Sequence, residues 1–284
     1  MKINVIITHY NDSRIFNCLT SLFNQKRKPE HILIADGGSP KELIETIEEF
    51  ILKNKNTELK ILKGNIAETR YKVIEIYRDL YDVMVFIDTD EVAPEDWLEK
   101  IVTPIEKGEC DFVGGLTIPY NKVISEAEEF INKRDKLYYN DICSEDVSQI
   151  AMGNSAWKSE IFKEIGNFDT FTIKYGISED YDINIRAIKA GFKGKFIKEV
   201  WLYHNQSHLN SFKKLFKALY LREVRTTIAY LKHNYTFNQS ISATRKKKIF
   251  HPFQAVLLIS KPIAFLEGWI EYNKGVKCEY YKKN

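Results

Sequence analysis

Three carboxylates, Asp88, Asp90 and Glu91, come directly after the apolar run Val83–Ile87. A short apolar run bounded by acids predicts a strand that is buried in a sheet. In an extended chain Asp88 and Asp90 would point to the same side, where their like charges would favour a divalent cation. Oxygen ligands at this spacing suit Mg²⁺ or Mn²⁺ better than zinc. The alternative is a strand that ends in an acidic turn, and Glu91 is expected to point away from any ion.

The elements that must position these acids alternate between strand and helix patterns, which predicts a mostly parallel, Rossmann-like sheet flanked by helices. Strands are predicted at Lys2–Thr8, Glu30–Ala35, Glu58–Leu62, Val83–Ile87, Asp111–Ile118 and Lys195–Tyr203. Helices are predicted at Arg14–Asn24, Lys41–Leu52, Glu68–Leu80, Pro94–Ile105 and Tyr181–Ala190. Ligands of such sheets bind beyond the carboxyl ends of the strands. Thr8–Asn11, Asp36 and Asp88–Asp90 lie at such ends and are expected to converge on one crevice.

The composition is that of an ordinary globular protein, with 284 residues, 44% of them hydrophobic and 29% charged. The four cysteines form no C-x-x-C pair, which argues against a thiolate zinc site and fits a reducing compartment. The apolar start Ile3–Ile7 is too short for a signal peptide. No apolar run approaches the roughly 20 residues of a membrane span. A cytoplasmic location is therefore predicted.

Charge is distributed unevenly along the chain. Residues 205–284 carry 15 Lys and Arg against 4 Asp and Glu, a net +11, whereas residues 1–204 carry a net −8. A basic helix that also carries aromatic residues is predicted from Phe212 to about Lys232, and such segments can lie in a membrane interface. We therefore predict peripheral attachment to the cytoplasmic face of a membrane. The apolar Val256–Ile259 is followed by Lys261-Pro262 and does not predict a clean span, and no nucleic-acid-binding module is recognisable.

Several segments together resemble the family 2 glycosyltransferases, whose fold is named GT-A. The matching segments, in chain order, are Val5–Asn11, Ser21–Gln25, Ile32–Ser39, Phe86–Asp90, Gly153–Ala156, Ile165–Asp169 and Glu179–Arg186. Each segment is short, but their order and separations agree with the family from residue 3 to about residue 208. The resemblance implies a catalytic domain at residues 1–208, with a nucleotide-binding half at 1–90 and an acceptor half at 91–208. Residues 209–284 would form a basic, amphipathic helical extension.

The resemblance also implies roles for individual residues. A nucleotide-sugar donor would be bound by Thr8, Tyr10, Asn11, Asp36, Arg70, Asp88 and Thr89, with Asp36 accepting a hydrogen bond from uracil or guanine. Asp90 would bind Mg²⁺ or Mn²⁺ directly, assisted by Asp88 and by His204, which could instead contact the diphosphate. Asp180 would be the catalytic base, with Glu179 as second choice. The family commonly has a second acid after the position of Asp36, where this chain has Gly37.

The chemistry of sugar transfer agrees with these roles. A divalent ion can stabilise the departing diphosphate as a Lewis acid. The acceptor hydroxyl, from a lipid-linked glycan, a polysaccharide or another glycoconjugate, needs a carboxylate to take its proton. A base opposite the leaving group predicts inversion at the anomeric carbon. Because Asp180 is expected at the start of a helix, the helix dipole should favour its charged form and make it a weaker base.

Two alternatives remain open from the sequence. A sugar-phosphate nucleotidyltransferase would share a related sheet and acidic metal ligands, but it should carry a glycine-rich signature after the first strand, and Thr8–Asp12 contains no glycine. The other alternative is a non-catalytic protein that binds nucleotides or a membrane surface. The presence of both Asp90 and Asp180 argues against it.

Overall fold

A computed structural model describes residues 1–120, 125–137, 147–169, 178–234 and 251–277 of the chain. The acidic, aromatic segment at Tyr138–Tyr139 and Asp141–Asp146 lies outside these residues, and so does the basic cluster Arg245–Lys248. The predicted helix-and-loop structure of residues 120–150 is therefore described only in part.

The described residues form one eight-stranded mixed sheet, in the order β3-β2-β1-β4-β7-β6-β8-β5. Its strands are β1 (Ile3–His9), β2 (His31–Asp36), β3 (Thr57–Ile61), β4 (Val83–Asp88), β5 (Glu91–Val92), β6 (Phe112–Pro119), β7 (Asn154–Lys158) and β8 (Gly194–His204). β1 to β4 are parallel to one another, so their carboxyl ends meet at one edge, as predicted. β7 runs antiparallel to both β4 and β6, and its pattern was not predicted as a strand.

Helices cover both faces of the sheet. They are α1 (Ile15–Phe23), α2 (Lys41–Ile51), α3 (Ile66–Tyr77), α4 (Trp97–Glu106), α5 (Glu126–Leu137), α6 (Ser159–Glu164), α7 (Glu179–Lys189), α8 (Phe212–Lys232) and α9 (Pro252–Lys277). The predicted helices of the first 190 residues agree with these bounds to within about three residues at each end. The α/β architecture with a helical C-terminal extension is therefore confirmed.

The central strands are buried on both faces, which explains their uninterrupted apolar sequences. In β4, Val85 and Ile87 face a core shared with α1 and α4. Met84 and Phe86 face the opposite core, which includes residues of α3, α6 and α7. Because successive side chains of a strand alternate between faces, one apolar run supplies both layers.

Two positions in the backbone require glycine. The register between β6 and β8 is irregular after Gly115, and a Cβ at Gly115 would lie 2.2 Å from the carbonyl oxygen of Val200. Gly191, just after α7, has φ +94°, the left-handed conformation that a glycine at a helix end adopts.

Helix α9 differs from the sequence prediction. It continues through Lys261-Pro262, and over Pro252–Lys274 it is long and apolar enough to cross a membrane, with a mean hydropathy of 1.3 in its most apolar window. A proline inside a helix removes one backbone hydrogen bond. Here contacts on both sides of the proline, from Leu257 and from Ala264, hold the two parts of the helix in the C-terminal cores.

Candidate active site

The buried guanidinium of Arg70, on α3, joins three of the predicted site residues. Its Nη1 donates to Oε1 of Glu179 at 2.6 Å, and its Nη2 donates to Oδ1 of Asp88, also at 2.6 Å. Its Nε lies 3.3 Å from Oγ1 of Thr8. Burial acts to lower the pKa of Arg70, but the charges of Asp88 and Glu179 outweigh it and raise the pKa. Arg70 is therefore a permanent cation shared between the two halves of the predicted catalytic domain.

A local sequence signal places Arg70 in the second turn of its helix. The side chain of Asn65 accepts from the backbone N–H of Glu68 at 3.0 Å, and Glu68 accepts from the backbone N–H of Asn65 at 2.7 Å. This capping box fixes the start of α3. The helix then packs on the sheet through Val73 and Ile74, so Arg70 faces the carboxyl ends of β1 and β4.

A second cluster surrounds Asp90. Its Oδ2 lies 3.3 Å from Nε2 of His204 and 3.3 Å from Nη1 of Arg14. β5 pairs with the end of β8, so that Glu91 is opposite His204, and the backbone N–H of Asn205 donates to the carbonyl of Asp90 at 2.8 Å. The backbone therefore brings together two predicted metal ligands that are more than a hundred residues apart.

Each member of the Asp90–His204 pair favours the charge of the other. Burial acts to lower the pKa of His204, but the hydrogen bond to Asp90 and the charge of Asp90 raise it above its ordinary value. Burial also acts to raise the pKa of Asp90, yet His204 and Arg14 together lower it. A cation is thus stabilised beside Asp90, with the positive charge supplied by side chains of the chain itself.

Asp90 and His204 could hold a divalent ion, because a carboxylate oxygen and an imidazole nitrogen converge there. Among the described residues, no group of three His, Cys, Asp or Glu side chains is arranged to hold a metal. Mg²⁺ is often held by one or two carboxylates together with substrate phosphates. The side chains present therefore fit an ion whose coordination is completed by a bound diphosphate.

The sequence-based prediction placed Asp88 and Asp90 in one extended strand, but the chain turns between them. β4 ends at Asp88, and Thr89-Asp90 form a turn, so the two carboxylates have different partners. Oδ1 of Asp88 is bound by Arg70, and its Oδ2 lies 2.5 Å from where a Cβ of Gly153 would be. The close approach of Gly153 explains why a glycine precedes β7, since any side chain there would displace Asp88.

Glu91, which was expected to point away from any ion, has a structural role. Its side chain is buried beneath the turn, and its Oε2 accepts a hydrogen bond from the backbone N–H of Asp88 at 2.9 Å. Burial, followed by the charges of Asp88 and Asp90, raises the pKa of Glu91 well above its usual value. Glu91 therefore supports the backbone that carries the two aspartates.

The first residues of α7 carry the predicted catalytic acids. Glu179 is held by Arg70, and Oδ1 of the neighbouring Asp180 accepts from the backbone N–H of Tyr181 at 2.9 Å. Burial and the charge of Glu179 raise the pKa of Asp180 to about 7. The expectation that the helix start would keep Asp180 a weak base is therefore wrong, because burial and a like charge outweigh the helix dipole.

Asp36 organises its own loop. Its carboxylate is fully buried, and it accepts from the backbone N–H groups of Gly38 at 2.7 Å and Ser39 at 2.8 Å, as well as from the Ser39 hydroxyl. All three hydrogen bonds come from its own loop, and the contact with a nucleobase that the resemblance implies stays a prediction. Gly37 is required by packing, because a Cβ there would lie 2.8 Å from the carbonyl oxygen of Gly64. The missing second acid thus has a steric reason in this chain.

The remaining predicted donor-binding residues lie at the carboxyl end of β1. The hydroxyl of Thr89 donates to the carbonyl of Thr8 at 2.8 Å, which joins the ends of β1 and β4. Tyr10 is 66% exposed, and Asn11 has φ 43° with its N–H donating to the hydroxyl of Ser39 at 2.7 Å. These residues lie at the carboxyl ends of β1 and β4, next to the loop that Asp36 organises.

Some of the motif residues have structural roles. Gln25 is buried and joins α1 to α4, donating to the carbonyl of Pro94 at 2.7 Å and accepting from the N–H of Leu98 at 2.9 Å. Asn154 accepts from Nε1 of Trp97 at 2.9 Å and donates to the carbonyl of Leu116 at 2.7 Å.

Two polar residues of the site, His9 and Arg14, were assigned no individual role from the sequence. Nδ1 of the buried His9 lies 3.4 Å from the hydroxyl of Thr89, and its Nε2 lies 3.8 Å from Asp36. Burial lowers the pKa of His9, despite the nearby charge of Asp36. Both residues flank the first predicted strand end, and that position was the only signal that could have marked them.

Comparison with known proteins identifies the family. The sequence profile of the family described as glycosyl transferase family 2 matches residues 4–166. The chain belongs to this family. A curated relative, the glucosyl-dolichyl phosphate glucuronosyltransferase of Haloferax volcanii, is 24% identical over 237 residues, which span 76% of this chain and 70% of the relative. The protein is therefore a glycosyltransferase, and the predicted family is confirmed.

Solved structures support the GT-A fold of this family 2 glycosyltransferase. The mannosyltransferase PcManGT from Pyrobaculum calidifontis, in complex with GDP-mannose and Mn²⁺, superposes with a TM-score of 0.61 at 12% identity, covering 98% of this chain and 75% of that one. TarS from S. aureus, in complex with UDP-GlcNAc, gives a TM-score of 0.56 at 13% identity, covering 99% and 93%. Identities this low establish the shared fold, and the fold and family together disfavour the nucleotidyltransferase alternative.

Proposed function

We propose that this protein is an inverting glycosyltransferase that moves a sugar from a UDP- or GDP-type nucleotide sugar to a glycan acceptor. The observation that carries the proposal is the convergence on Arg70 of Asp88, from the donor side, and Glu179, from the acceptor side. Asp180, next to Glu179, is thereby positioned at the junction of the two halves. We propose residues 1–90 as the nucleotide-binding half, residues 91–208 as the acceptor half, and residues 209–284 as a separate basic region.

Donor binding is assigned to the rim and floor of the crevice. Thr8, Tyr10, Asn11 and Thr89 lie at the ends of β1 and β4, where ligands of open α/β sheets bind. The exposed ring of Tyr10 offers a face on which a nucleobase can stack. Asp36 acts through its loop, since its carboxylate already accepts three hydrogen bonds from Gly38 and Ser39.

A divalent ion, Mg²⁺ or Mn²⁺, is assigned to Asp90 and His204. When bound, such an ion supplies Lewis-acid stabilisation of the leaving diphosphate. Arg14 lies on the same oxygen of Asp90 and provides a second positive charge near the diphosphate. Asp88 lies next to the site, and one of its carboxylate oxygens accepts a hydrogen bond from Arg70. PcManGT, a structural neighbour, was solved with GDP-mannose and Mn²⁺, which agrees with this assignment.

Asp180 is assigned as the general base. Its pKa of about 7 allows it to be ionised at neutral pH and still accept a proton from an acceptor hydroxyl. Glu179 raises the pKa of Asp180 while remaining paired to Arg70, so the two acids have different roles. Attack assisted from the side opposite the leaving diphosphate inverts the anomeric carbon.

A lipid-linked glycan is the favoured acceptor class, with a polysaccharide or other cell-surface glycoconjugate as the alternatives. The name of the Haloferax volcanii relative identifies it as an enzyme of glucosyl-dolichyl phosphate. The C-terminal region, with a net charge of +11 over residues 205–284, favours an acceptor at an anionic membrane surface over a soluble glycan. We propose that the enzyme acts at the cytoplasmic face of a membrane, without nucleic acid as a partner.

A thermal-shift screen of nucleotide sugars, with and without Mn²⁺, tests donor binding. A ligand that binds only the folded state raises its stability by mass action, by about 2.7 kcal/mol at a concentration one hundred times Kd. We expect stabilisation by sugars of one nucleobase class, larger with Mn²⁺, and loss of the Mn²⁺ effect in Asp90→Ala. Donor hydrolysis is then measured with the stabilising compound. The absence of both stabilisation and hydrolysis across the panel would favour the non-catalytic alternative.

A further inference from the structure

The C-terminal helix α9 has two apolar faces, and the described residues pack against only one of them. Ala264 is completely buried in a core with Val224 and Ile228 of α8. A Cβ at Gly268 would lie 2.8 Å from the carbonyl oxygen of Val224, so the two helices are in close contact. Farther toward the start of α9, Phe253 and Leu257 join a core with α5 and α8.

The opposite face of α9 is exposed and apolar. Its exposed large side chains are Val256, Leu258, Ile259, Ile263, Leu266, Trp269 and Ile270. At 100° per residue they lie within about half of the helix circumference, opposite Ala264. Large contiguous apolar patches on a protein surface usually mark an interaction site.

Both charged residues between Pro252 and Ile270 are turned toward α8. Nζ of Lys261 lies 3.4 Å from Oε1 of Glu223, and Oε2 of Glu267 accepts from the hydroxyl of Tyr220 at 2.5 Å. Lys261 is half-buried, whereas Glu267 is exposed at the edge of the apolar face, and no other charged residue lies between Pro252 and Ile270. This arrangement also explains why the sequence of α9 shows little amphipathic pattern, since apolar residues occupy both the packed and the exposed side.

We propose that this exposed face of α9 lies flat in the surface of an anionic lipid bilayer. Charge indicates that the partner of this face is an anionic membrane. Residues 205–284 carry a net +11 and would be attracted to a negatively charged surface. Trp269 on the face has an amphipathic ring of the kind that favours the membrane interface. α9 does not cross the bilayer, because a spanning helix would have to give up its contacts with α8 on the other side.

The bilayer contact is connected to the active site through α8. α8 packs on α7, with the hydroxyls of Ser178 and Thr226 3.3 Å apart and the rings of Tyr181 and Tyr230 in edge contact. α7 begins with Glu179, next to Asp180. A bilayer held against α9 is thus separated from the catalytic helix by a single helix. That an acceptor reaches Asp180 from this bilayer rests on the proposed function, whereas the binding of lipid does not.

Vesicle flotation of the full chain tests the proposal with a charge-matched control. The test variant is Ile259→Glu/Ile263→Glu, at residues that are 73% and 59% exposed. The control is Leu52→Glu/Ile61→Glu, at residues that are 75% and 52% exposed and belong to the edge of the sheet domain. Both variants change the net charge equally, so only the location of the new carboxylates differs. Vesicles contain phosphatidylcholine alone or with phosphatidylglycerol.

We expect the wild-type chain and the control to float with the phosphatidylglycerol vesicles, and the test variant to lose at least about tenfold in partitioning. Brominated lipids should quench Trp269 fluorescence, with Trp269→Phe as the reference, and alkaline carbonate should release the protein. The proposal would be overturned by absent flotation, by equal flotation of test and control variants, by resistance to carbonate, or by a lipid-free dimer that the test variant dissociates. A chain that floats but binds no nucleotide sugar would leave this inference intact and contradict the proposed function.

Discussion

Replacing Arg70 by methionine should destabilise the protein and also change the titration of Asp180, the proposed catalytic base. The substitution removes a cation that is 4% exposed and two charge-assisted hydrogen bonds of 2.6 Å, to Glu179 and Asp88. Each such bond contributes about 1.5–3 kcal/mol, and removal of one partner from a buried pair costs about 3–5 kcal/mol. Because the side chain of Asp88 is 33% exposed and can be partly solvated, we expect about 3 kcal/mol.

Urea denaturation measures this free energy, with Arg78→Met, directly after the same helix, as a control. Arg78 forms a partly exposed ion pair with Glu75 at 3.3 Å, so its loss should cost less than about 1 kcal/mol. The double variant Arg70→Met/Glu179→Gln should cost less than the sum of the single variants, because it removes both charges of the pair. A loss below about 1 kcal/mol for Arg70→Met, or strict additivity in the double variant, would contradict the reasoning.

The pH dependence of activity in Arg70→Met distinguishes an electrostatic role of Arg70 from a purely structural one. The positive charge of Arg70 lowers the pKa of Asp180, against the larger effects of burial and of Glu179, which raise it to about 7. Removing that charge should raise the pKa of Asp180 further. The acidic limb of the pH–activity profile should therefore move to higher pH in Arg70→Met and stay in place in Arg78→Met. An unmoved limb would mean that Arg70 has no electrostatic influence on the base.

Three further predictions concern protonation, a buried ion cluster and a glycine. Activity of the wild-type chain should rise with pH through about 7 and then level off, because Asp180 acts in its deprotonated form; a flat profile between pH 6 and 8 would exclude it as the base. Asp182→Asn should cost about 3–5 kcal/mol by urea denaturation, since this buried carboxylate pairs with Arg186 at 2.9 Å and with Lys232, and a loss below about 1 kcal/mol would contradict that role. Although burial acts to raise it, the neighbouring cations lower the pKa of Asp182, so its contribution should be full above about pH 3.9 and fall as the pH drops toward the folded-state pKa. Gly37→Asp, which restores the acid common in the family, should destabilise by about 1–3 kcal/mol because its Cβ would lie 2.8 Å from a backbone oxygen, and an unchanged melting temperature would show that the loop can move.

Apolar periodicity was sufficient to predict most of the sheet. β1, β2 and β4 are buried on both faces, and a doubly buried strand has an uninterrupted apolar sequence that ends sharply at its polar end. The position of the crevice followed from those ends. β7 was missed because Asn154 and Ser155 interrupt its apolar pattern, and their side chains are needed for hydrogen bonds to Trp97, Leu116 and Met152.

The geometry within the site depended on contacts that sequence spacing does not encode. Asp88 and Asp90 were expected in one extended strand, but a turn follows Asp88 and the two carboxylates have different partners. The titration of Asp180 could not be predicted from its place at a helix start, since burial and Glu179 dominate. Arg70 pairs with Glu179 and Asp88. These residues come from different segments of the chain, and only the fold brings them together.

The apolar character of α9 was underestimated for a different reason. Lys261 and Pro262 were expected to interrupt the apolar segment, and charged residues do lower its hydropathy. In the structure Lys261 turns toward Glu223 on α8, which leaves the other side of the helix uninterrupted. Because a linear pattern does not show which neighbour a charged side chain will reach, the exposed face became visible only in three dimensions.

The central claim, that Asp180 is the base of a glycosyltransferase, is tested most directly by the rate of sugar transfer in Asp180→Asn. The assay uses the nucleotide sugar selected by the thermal-shift screen, with Mn²⁺ and a lipid-linked acceptor, and it measures transfer and donor affinity on the same protein. We predict a loss of about 10²–10⁴ in kcat with donor affinity unchanged, since asparagine keeps the shape but cannot accept the proton. Transfer at the wild-type rate in Asp180→Asn would contradict the account.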